Sequence, residues 1–183
     1  MEAIVGLVSL TAGALLGGVV KVVFDRYTAF TESKGVATAL RAEIDGLLRL
    51  METRGYGPRI AQIIADASRP DHVVTADDIL SVRTTQDYFV VFRSVMSKVG
   101  LLDDLGARVI YFYSLARAIV EDVGELREYR QAILDKRLAP TPAEVVRWHT
   151  EMGQLLARTL EDGARLIPDL EAFTHRRFLG VFK

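Results

Sequence analysis

The chain has 183 residues, no cysteine, and 23 Lys and Arg against 24 Asp and Glu, giving a net charge of −1. Disulfides, a thiolate nucleophile and a Cys-based metal site are excluded, and no global field draws nucleic acid or an acidic partner. The length suits one ordinary domain with a core of its own, plus a leading segment.

That leading segment dominates the reading. Residues 3–20 carry no charge and consist of Leu, Val, Ile, Ala, Gly and two hydroxyls. As a helix they would extend about 27 Å, and continuing past Lys21 to Phe24 matches a hydrocarbon core of about 30 Å. We expect a transmembrane anchor over residues 1–26. A cleaved signal peptide would want a cation before the apolar run, whereas only Glu2 precedes it, and the small residues Ala12, Gly13 and Ala14 sit inside the run. The cations Lys21, Arg26, Lys34 and Arg41 all follow the segment. The positive-inside bias therefore points the N-terminus outward and the body into the cytoplasm, at a cell (inner) membrane. Tyr27 and Phe30 stand where an interfacial aromatic belt belongs.

Within the segment Ser9, Gly13 and Gly17 recur every four residues, with Ala14 and Gly18 beside them. Lipid provides no hydrophobic drive for helices to associate, so small residues that admit close contact are the usual device. This face predicts a homo-oligomer or docking on a partner membrane protein.

Downstream, residues 27–183 read as one helical domain. Val36, Leu40, Ile44, Leu47, Leu48 and Met51 recur at helical spacing up to Gly55, which predicts a second stretch of helix continuous with the first, a rod of about 50 residues. Thr53-Arg54-Gly55-Tyr56-Gly57 matches most of a potassium-filter pentapeptide, but its polar flanks supply neither a pore helix nor a second span. A Gly55 cap followed by a short helix from Pro58 to Ala67 explains the same residues. Residues 68–84 form an irregular loop in which Thr75 opens a helical turn. His72, Asp77 and Asp78 there lack a second His and read as a solvated loop rather than a metal site.

Thr84, Thr85, Gln86 and Asp87 are expected to cap a helix carrying Phe89, Phe92, Val95, Met96 and Val99, ended by Gly100. Leu105, Val109, Phe112, Ala116, Ile119, Val123, Leu126 and Ile133 then alternate at steps of four and three, a heptad seam flanked by Tyr111 and Tyr113. That helix should end near Leu138. Thr141-Pro142-Ala143-Glu144 is a hydroxyl cap, a Pro at the first position and a Glu at the third. The last helix buries Val145, His149, Met152, Leu156, Leu160, Gly163 and Ile167 and is kinked or ended by Pro168. His149 reads as a core residue with a local hydrogen bond. Residues 168–183 form an amphipathic tail in which Arg176, Arg177, Phe178, Phe182 and Lys183 suit an anionic membrane surface.

The segments Ala39 to Ile44, Tyr88 to Phe92, Gly100 to Asp103 and Ile110 to Tyr113, in that order behind one N-terminal span, resemble a broad set of uncharacterised bacterial single-span proteins. The resemblance implies a cytoplasmic helical body and brings no functional residues. The expectation is an all-α protein: a single N-terminal transmembrane helix followed by an antiparallel bundle of about four long helices. Its expected role is an interaction or scaffold subunit at the lipid bilayer. A pore-forming effector assembled through the Gly-rich span and a ligand-sensing bundle are the alternatives. An enzyme is the least expected reading, because the paired acids Glu121-Asp122 and Glu161-Asp162 point to different helix azimuths and read as solvated faces; no cofactor, metal or nucleic-acid partner is expected.

Overall fold

A computed structural model describes residues 2–82 and 87–178, with side chains from Gly17 onward. Helix α1 runs Glu2–Thr53 and α2 Tyr56–Ala67; a 3-10 turn at Ala76–Asp78 precedes α3, Val90–Val95. A 3-10 run at Met96–Leu102 leads into α4, Asp104–Leu134, and α5 covers Pro142–Thr174. Among the described residues the chain is all-helical, with no strand.

The rod expectation holds, for α1 is one uninterrupted helix of 52 residues, about 78 Å long. Its hydroxyls do not break it because they bond back to the preceding turn: Thr28 and Thr31 donate to the carbonyls of Phe24 and Tyr27 (both 3.0 Å), and Ser33 to that of Phe30 (2.8 Å). Gly55 ends it in the left-handed conformation, φ 61°, with its N–H donating to Glu52 O at 2.9 Å. The next helix starts two residues earlier than expected, placing Pro58 within the first turn, where a missing N–H costs no helical bond.

Helix α5 is the spine of the body. Thr141 and Glu144 close the expected capping box, and the buried stripe is Val145, His149, Met152, Leu156, Thr159, Gly163, Leu166, Leu170 and Phe173. Steps of four and three continue to its end, so Thr159 and Leu166 are the seam residues where the sequence suggested Leu160 and Ile167. Thr159 is buried at no polar cost because its hydroxyl donates to Leu155 O at 2.8 Å. Both other long helices run antiparallel to α5. Arg41 pairs with Glu171 (3.2 Å) while Leu48 lies against Gly163, and Arg108 pairs with Asp169 (2.6 Å) while Tyr129 packs on Trp148 (4.8 Å between rings). The α4 seam from Val109 to Leu126 is buried as its heptad spacing required.

Several boundaries differ from the sequence reading. Gly100 does not end a helix: the 3-10 run passes through it, because three residues per turn put Val99 and Leu102 on one buried edge, and the chain turns at Asp103, φ 52°. Helix α4 stops at Leu134 rather than near Leu138, since Lys136 at φ 58° folds the chain back so that the Arg137 and Leu138 N–H groups both reach Ala132 O. Pro168 neither ends nor replaces the helix, which runs on to Thr174. The proline is exposed, so the Ala164 carbonyl left without its donor faces water, and burial of Leu170 and Phe173 beyond it outweighs a loss of about 3 kcal/mol. The cap expected at Thr84, Thr85 and Gln86 lies outside the described residues.

The expected membrane span is not found among the described residues, where no helix is long and apolar enough to cross a membrane. Described side chains begin at Gly17, and from there the sequence soon brings in Lys21, Asp25 and Arg26. Most of the uncharged stretch, with Ser9, Gly13 and Ala14, lies outside the described side chains.

Two helix contacts are closer than any side chain allows. A β-carbon on Gly106 would sit 2.6 Å from Val99 O, and one on Gly163 would sit 2.7 Å from Phe112 and 2.8 Å from Leu48. Gly106→Ala should therefore destabilise the body by about 1–3 kcal/mol, because a backbone carbonyl cannot step aside. Gly124→Ala, in the same helix but in open space, should instead be stabilising by about 0.5–1 kcal/mol. Paired urea unfolding curves followed by far-UV circular dichroism check both signs.

Candidate functional site

Among the described residues a run of exposed large apolar side chains lies on α1 upstream of the bundle. Between Gly17 and Glu32 every residue except Phe30 is exposed, and Val19, Val20, Val22, Val23, Phe24 (67 %) and Tyr27 (54 %) are large hydrophobic residues among them. On a helix turning about 100° per residue these six cover an arc of roughly 200°. Gly17, Gly18, Lys21 and Asp25 occupy the rest, and the exposed Arg26 falls within the arc between Val22 and Val19. Burial begins only at Ser33, followed by Val36, Ala37 and Leu40.

The C-terminal tail returns to the base of this projecting helix. The Phe178 ring meets Tyr27 edge-on at 5.4 Å and Phe30 at 5.5 Å. Arg176 lies over the Phe173 ring at 4.6 Å and 3.6 Å from the Asp103 carboxylate, while Lys34 lies over Phe30 at 4.7 Å. A cavity of about 330 Å³ opens between them, with Arg26, Phe30, Gly100, Leu101, Arg176 and Phe178 on its walls. Of the tail residues singled out from sequence, Arg176 and Phe178 are thus placed beside α1, Arg177 is exposed, and Phe182 and Lys183 lie outside the described residues. Gly17 and Gly18 are open on the glycine side, a β-carbon there meeting nothing within 4 Å.

Sequence reasoning missed the polar knot that holds the short helices. Helix α3 is preceded at its N-cap by Phe89, which offers no capping side chain. Its free N–H groups are satisfied from α1 instead: Glu43 accepts from Val91 N (2.7 Å) and Phe92 N (2.9 Å), and also from the Tyr113 hydroxyl at 2.5 Å. Tyr113 is buried rather than flanking, stacks on Phe92 at 4.0 Å, and has its phenol pushed well above the ordinary range, by burial first and by Glu43 second. Glu43 sits beside the apolar stripe of α1, but nothing in the sequence names partners 48 to 70 positions away.

His149 is a structural core residue, as its spacing suggested. Burial is complete, the ring's Nε2 accepts from Leu80 N at 3.1 Å, and this leaves the proton on Nδ1, 2.8 Å from Val145 O. Burial lowers its pKa below the ordinary 6.5. On the same loop Asp78 accepts from the Thr75 N–H (2.7 Å) and hydroxyl (3.0 Å) and lies 3.1 Å from His72. Burial opposes its charge, yet these partners bring its pKa below the usual 3.8. His72 and Asp78 thus form a loop clamp, and no group of metal-ligating side chains occurs among the described residues.

The acidic pairs are less uniformly solvated than expected. Asp122 is half-buried in a groove with Trp148 and Tyr129, and its pKa is raised, by burial first and then by Glu125, Glu121 and Glu151. Asp162 is also half-buried. Their azimuths still differ from those of Glu121 and Glu161, which make exposed pairs with Arg117 and Arg165.

A second cavity separates α1 from α4, which meet mainly through α5 and the α3 segment. It measures about 50 Å³, is almost wholly apolar between Leu47, Met51, Ile119 and Val123, and has Arg54 at its rim donating to Tyr56 Oη at 2.9 Å and Tyr88 Oη at 3.4 Å.

Two measurements test these assignments. Glu43→Gln turns an acceptor into a donor against N–H groups and should lower stability by about 1.5–3 kcal/mol; Tyr113→Phe should lose less, and a double-mutant cycle should show coupling. His149 binds a proton less readily folded than unfolded, so its stabilisation is complete above about pH 6.5 and is lost as pH falls through the lower folded value. Urea midpoints should therefore drop between about pH 7.5 and pH 5, with His149→Gln flattening that window. The Asp78 contribution is lost only at more acid pH, below its ordinary value of 3.8.

No protein-family model, curated protein or solved structure is similar to this chain, so its role is read from its own geometry.

Proposed function

We propose that the protein is a membrane-anchored helical interaction or scaffold subunit, held through the N-terminal part of α1 with its bundle on the cytoplasmic side, in an oligomer or a larger membrane complex. The observation that carries this reading is the exposed, mainly apolar arc from Val19 to Tyr27, interrupted by Arg26, and continuous in sequence with the uncharged residues 3–20. An arc of roughly 200° is wider than the stripe of about 100° that one packed neighbour covers. Lipid covers such a helix all round, while the opposite Gly17 and Gly18 side lets a second helix approach closely. Rigid continuity of α1 into the core then couples the anchor mechanically to the body.

A ligand-sensing bundle is the second reading, favoured by the apolar cavity between α1 and α4. Mass spectrometry of the gently purified chain should reveal a bound apolar molecule that Ile119→Trp displaces.

The anchor reading is checked by floating the full chain with liposomes after an alkaline wash. It should float, and Val19→Asp with Val23→Asp should leave it in the aqueous fraction, whereas Gly17→Leu should keep it afloat and reduce cross-linked dimer. A full chain that stays monodisperse in plain buffer overturns the reading.

A further inference from the structure

The turn that follows α2 is built as a unit able to keep its own shape. Asp78 accepts from the Thr75 N–H at 2.7 Å and hydroxyl at 3.0 Å and lies 3.1 Å from His72 Nε2, while the Ile79 N–H returns to Ala76 O at 3.4 Å. All these contacts close inside residues 72–79. The next bond reaches α5: the Leu80 amide donates to His149 Nε2 at 3.1 Å, across 69 positions. Beside it the side chains of Ile79 and Leu80 are fully buried, in the apolar cluster that includes Ile60, Ile63, Ile119 and Val123.

The acceptor of that bond is titratable, and its other nitrogen is committed. Nδ1 carries its proton toward Val145 O at 2.8 Å, so a second proton enters at Nε2. There it sets one N–H against another and leaves the Leu80 amide buried without an acceptor, on a ring whose charge is itself buried. The surroundings hold little to offset this. Helix α2 turns Ile60, Ile63 and Ala67 inward, with Arg59 exposed and Asp66 tied to Arg69 at 2.5 Å. Helix α4 brings Arg130, which holds Asp77 at 3.5 Å, and Asp122 and Glu125, which with Glu151 of α5 line the groove beside Trp148. Arg147 of α5 is exposed. Asp78 is the charge that favours the protonated ring, and its oxygens already face Thr75 and His72.

We propose that residues 72–80 form a proton-released flap: a proton taken up at Nε2 of His149 breaks the tie to Leu80, and the clamped turn lifts from α5 as a unit, uncovering the cluster around Ile60, Ile63, Ile119 and Val123. Protonation of His72 adds charge to its contact with Asp78, so acid tightens the turn while loosening its attachment. The His149 ring binds a proton less readily under the docked flap than in water, where its ordinary value is 6.5. Opening is therefore rare above about pH 6.5, grows by up to about tenfold per pH unit below it, and levels off beneath the docked value. It exposes the flap's own side chains and leaves the α1, α4 and α5 seams in place, which sets it below global unfolding in free energy.

Amide hydrogen exchange of the full chain in mild detergent, followed between pH 7.5 and 5 and corrected for intrinsic exchange, tests the flap. Protection at Leu80 should fall by up to about tenfold per pH unit below pH 6.5, while the Leu156 and Leu166 amides of α5 keep theirs. His149→Gln, which offers Leu80 an uncharged acceptor, should make Leu80 protection independent of pH, and His72→Gln should leave the dependence in place. Constant protection of Leu80 across this range overturns the flap, as does a parallel loss at Leu80, Leu156 and Leu166, which marks unfolding of the whole body. Dependence that survives His149→Gln and disappears in His72→Gln moves the switch to the clamp and overturns the role given to His149. Should His149→Gln not fold, the ring-nitrogen chemical shifts of His149 in the unaltered chain decide: they should titrate together with the loss of Leu80 protection, and a ring that stays neutral through that loss overturns the proposal.

Discussion

Everything in the body is arranged by the buried stripe of α5. Its steps of four and three from Val145 to Phe173 turn a single helix into a common wall for α1 on one side and α4 on the other. Burial of each large side chain along it is worth about 1.5–3 kcal/mol, and the two closest approaches, at Gly163 and, through the preceding 3-10 run, at Gly106, are possible only because no β-carbon intervenes. The same arrangement leaves α1 and α4 apart. That gap is what the short elements fill, and where they fill it incompletely a cavity remains.

Glu43 explains how a six-residue helix persists there. A helix this short cannot supply enough internal hydrogen bonds to stand alone, and Phe89 offers it no cap. Its Val91 and Phe92 amides are instead satisfied by a carboxylate from α1, which also receives the Tyr113 hydroxyl from α4. One side chain therefore ties three elements at the point where the long helices diverge. His149 does the corresponding job at the other end, fixing the loop through the Leu80 amide. Both are buried or half-buried polar groups with every partner present, which is the condition under which such groups specify one arrangement.

The exposed part of α1 obeys a different logic. Among the described residues the tail's Phe178 meets the arc at its lower edge, on Tyr27. A surface of that kind is a binding surface by default. The helix carries it directly into the core at Ser33 and Val36 with no intervening loop, so whatever grips the arc also orients the bundle.

The sequence by itself determined the local pattern. Heptad spacing made the α4 seam, the Thr141 and Glu144 box began α5, and Gly55 ended α1, because each depends on neighbours within a turn or two. Tertiary structure decided what depends on distance. The Thr159 and Leu166 register of α5 was fixed by what it faces, Pro168 was tolerated because it points to water, and Tyr113 was drawn inward by a carboxylate 70 positions away. Pairing energies between remote residues leave no periodic trace in a single sequence, so the Glu43 knot, the His149 clamp and the convergence of Arg26 with Arg176 became visible only once the helices had been laid side by side.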